Sequence, residues 1–200
     1  MKNINKLIIS IASVLIGMLL MPVMLFAAEG TLAGTGTESD PYLINAVNDF
    51  EIIQDGIKSG KSYKNKYFRL ESDIKLPADW KPLGTLKEGA ADAGSGRDML
   101  PFSGTLDGNG HTLTFAKGSK PLFGYVRDAK VENLNIFGTY IDGYGLVENY
   151  VVDYGKDAKN WTDDDPKATI TAENVTIKSG TKIHQSGFIG GYASGIDHAD

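Results

Sequence analysis

Val131-Glu132-Asn133-Leu134-Asn135-Ile136 returns as Ala172-Glu173-Asn174-Val175-Thr176-Ile177, 41 residues later. Two more phrases return at a shift of 42. Gly138-Thr139 matches Gly180-Thr181, and Gly145-Leu-Val-Glu-Asn-Tyr150 matches Gly187-Phe-Ile-Gly-Gly-Tyr192. Three matches in one order at nearly one offset define an internal repeat, and a period of about 20–50 residues points to a repeat architecture. Each repeat holds two or three short alternating apolar segments broken by Gly, Asn or Asp, which is too many breaks for a helical repeat. Val131, Leu134 and Ile136 can point to one side while Asn133 and Asn135 point to the other.

The energetics favour stacking. Burying one large apolar side chain gains about 1.5–3 kcal/mol, whereas ordering each residue costs about 1–2 kcal/mol of backbone entropy. A rung of roughly 20 residues therefore cannot fold by itself and must share its inward residues with neighbouring rungs. The expected fold is mainly β, a parallel β-helix. Asp107-Gly-Asn-Gly110, between Phe102–Leu106 and His111–Phe115, supplies residues that tolerate positive φ. Locally it fits either a hairpin or a corner between successive strands, and the repeat favours the corner.

Upstream, Glu29–Asp40 is small and polar and reads as a flexible lead-in. Pro41–Ile44 is a short strand. A helix is expected over about residues 46–58, with Asn45 or Asn48 as its cap and Gly60 as its stop. Val47, Phe50, Ile53 and Ile57 give it one apolar face, and it is too short to stand alone. It sits where a lid over the first rung is needed. Tyr67–Leu76 reads as strands, and Trp80-Lys-Pro-Leu-Gly84 closes this unit. Two surface insertions are expected, Leu86–Leu100 and Tyr154–Lys167. The carboxyl end carries no comparable lid, and Asp200 arrives soon after a repeat phrase. The expectation is a fragment of a longer protein or one end of an assembly.

The first 28 residues come before the fold. Lys2 and Lys6 precede an apolar run from Leu7 to Leu20, Pro22 interrupts it, and Ala27-Ala28 lead to Glu29, the first acid. A charged start, an apolar centre and small residues at the exit describe a secretory signal peptide over residues 1–28. Cleavage after Ala27 or Ala28 leaves Leu25 or Phe26 at the −3 position, neither of them small. Leu7–Phe26 is also about long enough to span a bilayer as an uncleaved anchor. Both readings send the remainder outside the cytoplasm. The sequence has no cysteine, so neither a lipoprotein anchor nor disulfides are expected. Residues 41–200 then form one β-helix domain, with an N-terminal cap over 41–84 and rungs over 102–200. Without Lys2 and Lys6, 18 basic residues face 25 acidic ones, a net of −7. That balance disfavours nucleic acid and anionic lipid as partners, and no membrane insertion is expected after signal cleavage.

The repeat phrases resemble those of GLUG-motif proteins, found on or outside bacterial cells. The motif is a Gly, an apolar pair, a Gly, then an aromatic or polar residue, often with Ser-Gly. Ser186-Gly-Phe-Ile-Gly-Gly-Tyr-Ala-Ser-Gly195 matches best. Pro121-Leu-Phe-Gly-Tyr-Val126 has Pro for the first Gly, and in Gly145-Leu-Val-Glu-Asn-Tyr150 Glu148 replaces the second. Gly36-Thr-Glu-Ser-Asp-Pro-Tyr-Leu-Ile44, Trp80-Lys-Pro-Leu-Gly84 and Phe102–Thr112 resemble the start of such domains, so the likeness covers about Gly36 to Gly195. It implies a right-handed parallel β-helix of adhesin-like surface proteins, some of them amino-terminal parts of large metallopeptidases. The motif is structural and carries no catalytic residue across.

The residues themselves offer little chemistry. His111, His184 and His198 lie far apart and lack the H-E-x-x-H spacing of a zinc peptidase. Asp142, Glu148, Asp153 and Asp163–Asp165 are carboxylates of the type glycan hydrolysis uses, and adjacent rungs could bring Glu132 near Glu173. Solvated turns and corners account for all of these better than a reaction site does. Asp163-Asp-Asp165 lacks the ladder of a calcium loop, and Asp107–Gly110 lacks the Lys-Ser/Thr of a phosphate loop. Tyr125, Tyr140, Tyr144, Tyr150, Tyr154, Trp161 and Tyr192 could grip sugars or a protein surface, or pack in core and corners. No catalytic, cofactor or metal site is expected, and the ligand-binding residues stay open. The expected role is a secreted or cell-surface binding scaffold of adhesin type for a glycan or extracellular protein. The alternatives are a passive spacer, or the amino-terminal part of a larger glycan-active enzyme or extracellular peptidase.

Overall fold

The computed structural model describes residues 30–90, 98–153, 170–185, 187–190 and 192–195. The expected signal peptide and the Tyr154–Lys167 insertion lie outside the described residues. In chain order the elements are β1 (Tyr42–Ile44), α1 (Val47–Lys58), β2 (Tyr67–Leu70), β3 (Ile74–Leu76), β4 (Thr85–Leu86), β5 (Met99–Leu100), β6 (Thr105–Asp107) and β7 (Thr112–Phe115). They continue as β8 (Phe123–Val126), β9 (Ala129–Glu132), β10 (Asn135–Gly138), β11 (Val147–Asp153), β12 (Ile170–Glu173), β13 (Thr176–Ile177) and β14 (Tyr192–Gly195). The protein is mainly β with one helix among the described residues, and that helix is neither long nor apolar enough to cross a membrane.

Three parallel sheets carry the fold. The first is ordered β1-β2-β6-β9-β12, the second β3-β7-β10-β13, and the third β8-β11-β14. From β6 onward the chain visits the first, second and third sheet in that order, three times over. The repeat seen in the sequence is the pairing register itself. Val131 lies beside Ala172, Ile136 beside Ile177, and Tyr150 beside Tyr192. The preceding circuit is shorter, since Leu106 pairs with Val131, Leu113 with Ile136 and Phe123 with Val147. The 41–42-residue offset is thus one long circuit, and its additional length falls between β11 and β12.

The corner between the first and second sheets explains the recurring Glu-Asn. Asn109, Asn133 and Asn174 adopt φ of 49°, 51° and 52°, the left-handed region that Asn tolerates better than most residues. Their amides also link the circuits. Asn174 Nδ2 donates to Asn133 Oδ1 at 2.9 Å, and Asn133 Nδ2 donates to Asp107 Oδ1 at 3.0 Å. Asp107–Gly110 joins strands of different sheets, so it is a corner and no hairpin.

Because paired strands run in register, inward side chains stack in rows. Phe68, Leu106 and Val131 make one row, Ile74, Leu113 and Ile136 a second, and Leu83, Phe123 and Val147 a third. All nine are buried. The second row ends at Ile177, which is 42% exposed.

At the other end α1 lies where later circuits place their second and third strands. Phe50, Ile53 and Ile57 are buried in the column, and the Phe50 ring meets Trp80 edge-on at 5.8 Å. Neither Asn45 nor Asn48 caps the helix. The cap position is Ala46, and Asp49 Oδ2 instead accepts the Asn45 and Ala46 amides at 2.7 and 3.0 Å. An acid in the first turn satisfies free amides and complements the helix dipole. The segment expected as a flexible lead-in is a bonded turn from Thr31 to Asp40. The Thr35 and Gly36 amides donate to Asp40 O at 3.1 and 3.0 Å, and Leu43 N–H donates to Ala33 O at 2.9 Å.

The Leu86–Leu100 insertion interrupts the third sheet. Leu83 bridges Phe123 before it and Phe102 bridges Val126 after it. Its base is stapled by the antiparallel pair β4–β5, and buried Met99 packs with Leu86 and Tyr125.

Candidate functional site

The outward candidates among the described residues fall into separate clusters. In the first sheet Glu132 and Glu173 are register partners, the one carboxylate pair that stacking was expected to bring together. Lys130 Nζ stands between them, 2.9 Å from each. Hydrogen bonds to both carboxylates hold the Lys130 ammonium well above the usual lysine range. A single cation bridges both carboxylates, so this is an ion-pair ladder across two circuits.

Asp142 forms the second cluster. Its Oδ2 accepts from Lys120 Nζ at 2.7 Å, its Oδ1 lies 3.2 Å from His184 Nδ1, and the His184 ring lies 5.8 Å from Tyr140. The Lys120 hydrogen bond and charge, then His184, hold the Asp142 carboxyl below the ordinary range. Glu148 turns back to accept the Tyr144 amide at 3.5 Å. Tyr144 packs against Gly187 and Gly190, and Tyr125 sits half-buried against the insertion, where burial raises its phenol. The tyrosines are therefore dispersed and form no continuous platform among the described residues. His198, Asp163–Asp165, Tyr154 and Trp161, with the side chains of Tyr150, Asp153 and Tyr192, lie outside the described residues. Among those described, no three His, Asp or Glu side chains are placed to hold a metal ion.

His111 marks a third pairing. Asp73 Oδ1 accepts the Thr112 amide at 2.8 Å and lies 3.3 Å from His111 Nδ1. The Thr112 amide first, then His111, holds the Asp73 carboxyl below its ordinary value. A carboxyl depressed in the folded state stabilises fully above its unfolded pKa, about 3.9, and loses that contribution as pH falls through the folded value. The thermal midpoint should therefore drop below about pH 4, and Asp73→Asn should blunt the drop. The Asp73 side chain is 72% exposed, so the effect is small, on the order of a few tenths of a kcal/mol. Thermal scans from pH 5 to 2 on both proteins check it, and identical acid profiles would refute the assignment.

A depression of about 180 Å³ touches Glu132 and Asp107, but the larger concave surface lies away from these side chains. A groove of about 500 Å³ runs between the Gly30–Leu32 turn and the segment after α1, with Lys61, Lys64 and Lys66 on its rim. A second depression of about 300 Å³ shares Lys61, Ser62 and Lys64 with it and extends to Met99–Pro101 and Arg127. Tyr63, between these lysines, holds φ of 59°, uncommon for an aromatic residue. Its ring is fixed edge-on to Phe68 at 5.3 Å, and burial raises its phenol. Candidates chosen by catalytic residue type missed this region. Its signal was the charge run Lys58-Ser-Gly-Lys-Ser-Tyr-Lys-Asn-Lys66, four cations and no acid in nine residues.

No protein-family model matches the chain, and no solved structure matches it. Halomucin of Haloquadratum walsbyi (strain DSM 16790 / HBSQ001) is 31% identical over 157 residues. The match covers 74% of this chain and only 2% of halomucin.

Proposed function

We propose that the chain is a secreted or cell-surface binding scaffold of adhesin type, without catalytic activity of its own, wound as a right-handed parallel β-helix related to the GLUG-motif proteins. The cyclic visit to three parallel sheets carries this reading. Such a column repeats one backbone and leaves its outer faces and insertions free to vary, which suits display. Parallel crossovers are right-handed in about 98% of cases. A crystal structure with left-handed circuits would overturn the winding. The GLUG-like phrases Pro121–Tyr125, Gly145–Tyr150 and Gly187–Gly190 fall on successive circuits at the third sheet, where Phe123, Val147 and Ile189 align. That common placement supports a structural role for the motif. The sequence signs of secretion, and the likeness to a protein whose name denotes a mucin, support an extracellular setting. Carboxylates tied to Lys130 and Lys120 suit a fixed charged surface better than proton transfer.

The test is binding of the purified secreted chain to glycan and extracellular-matrix arrays. Saturable binding to one class is expected. Absence of binding on both would favour a passive spacer, the reading supported by a match that occupies so little of halomucin. Turnover of a polysaccharide, abolished by changing one carboxylate, would contradict both readings and favour an enzyme.

A further inference from the structure

From the groove beside Lys61–Lys66 we infer a binding site for an anionic polysaccharide, one bearing uronate or sulfate groups; the inference rests on the binding-scaffold reading. The chain carries 20 basic and 25 acidic residues, yet residues 58–66 hold four lysines and no acid. The fold turns that run into the rim of a groove. Gly60, at φ of 94°, ends α1 and frees the chain to turn. Pairing of β2 with β1 and β6 then fixes Lys66 at the far end. No ion pair with an acid occupies Lys61, Lys64 or Lys66 among the described residues. Lys66 Nζ is instead held by Thr35 O at 3.3 Å and lies 5.8 Å from the Tyr42 ring centroid, inside the groove.

The lining identifies the ligand class. Leu32, Tyr42, Ile52 and Tyr63 give an apolar, partly aromatic floor of the kind that accepts the C–H face of a sugar ring. Lysines are point charges with freely turning donors, suited to carboxylate or sulfate groups spaced along a flexible chain. The 300 Å³ depression beyond the Lys61–Lys64 wall adds Arg127 to the cations, with Asp128 as the one acid in its lining. A ligand using both depressions extends over several residues, which favours a polymer over a single sugar.

The experiment titrates the full secreted chain with labelled oligogalacturonate, dextran sulfate, uncharged dextran and poly-glutamate. Binding is expected for one or both anionic saccharides and not for dextran. The two charged arms separate uronate from sulfate recognition. Combined Lys61→Gln, Lys64→Gln and Lys66→Gln should weaken the bound probe by roughly 100-fold, about 5-fold per charge. Raising the salt should weaken it as well. Lys75→Gln, exposed in β3 and distant in sequence, should leave affinity unchanged. An unaltered urea midpoint for the triple variant excludes unfolding as the cause. Wild-type affinity in the triple variant, equal binding of dextran, or tighter binding of poly-glutamate than of either saccharide each overturns the inference. If an array ligand is found whose binding the triple variant keeps, the groove assignment fails while the scaffold reading stands. If no saccharide and no array component binds, both fail.

Discussion

Replacing Phe68 with alanine is expected to lower the unfolding free energy by about 3–5 kcal/mol, the cost of truncating a fully buried aromatic in a core that cannot collapse around the gap. Phe68 has no exposed surface, and its ring meets three others: Tyr42 at 5.3 Å, Tyr63 at 5.3 Å and Phe102 at 5.5 Å. Phe102 continues to Phe123 at 5.1 Å, so aromatic contacts run from the first sheet to the third. Register pairing fixes Phe68 between Tyr42 and Leu106, which prevents neighbouring strands from sliding to fill the void. Phe137→Ala, in the half-exposed outward row of β10, should cost far less, about 1 kcal/mol. Urea unfolding of both variants reads the difference. A Phe68→Ala loss no larger than that of Phe137→Ala would show that the rings are not the centre of the core.

Gly84→Ala is expected to cost about 3 kcal/mol or more, combining a strained backbone with a close approach. Gly84 is where the chain leaves the third sheet for the insertion. It holds φ of 80°, and a Cβ there would overlap the backbone carbonyl oxygen of Tyr125. The carbonyl cannot yield cheaply, because the neighbouring strand is pinned on both sides: Gly124 N–H donates to Leu83 O at 2.7 Å and Phe123 N–H to Leu146 O at 3.0 Å. Gly84 N–H also donates to Gln54 Oε1 of α1 at 3.1 Å, so a shift would disturb the lid. Gly60→Ala provides the comparison. Gly60 has φ of 94° but nothing within 4 Å of a built Cβ, so only the conformational cost of about 1 kcal/mol applies. Equal losses in the two variants would show that the approach to Tyr125 contributes nothing.

The repeat was legible because stacked parallel strands select alike at paired positions. A phrase such as Val131–Ile136 reappears wherever a corner needs a left-handed Asn and the next strand an inward aliphatic. The helix was legible for a similar local reason, although its cap was not. A cap depends on which acceptor reaches the free amides, and Asp49 three residues inside the helix did so in place of the asparagines. Of the candidate sites, the pairing of Glu132 with Glu173 followed from the offset alone. The presence of Lys130 between them did not, because it depends on which way each side chain leaves the sheet.

The amino-acid sequence by itself determined the β-rich repeat, the offset between paired segments, the helix and the corners, because each follows from short-range sterics and periodic burial. Only the tertiary structure decided that 41 residues make one circuit, that the Thr31–Asp40 segment is a bonded turn, and that lysines spread along a loop stand around a groove. Those outcomes need groups distant in the chain to converge, and convergence depends on insertion lengths and strand registers that no local pattern records.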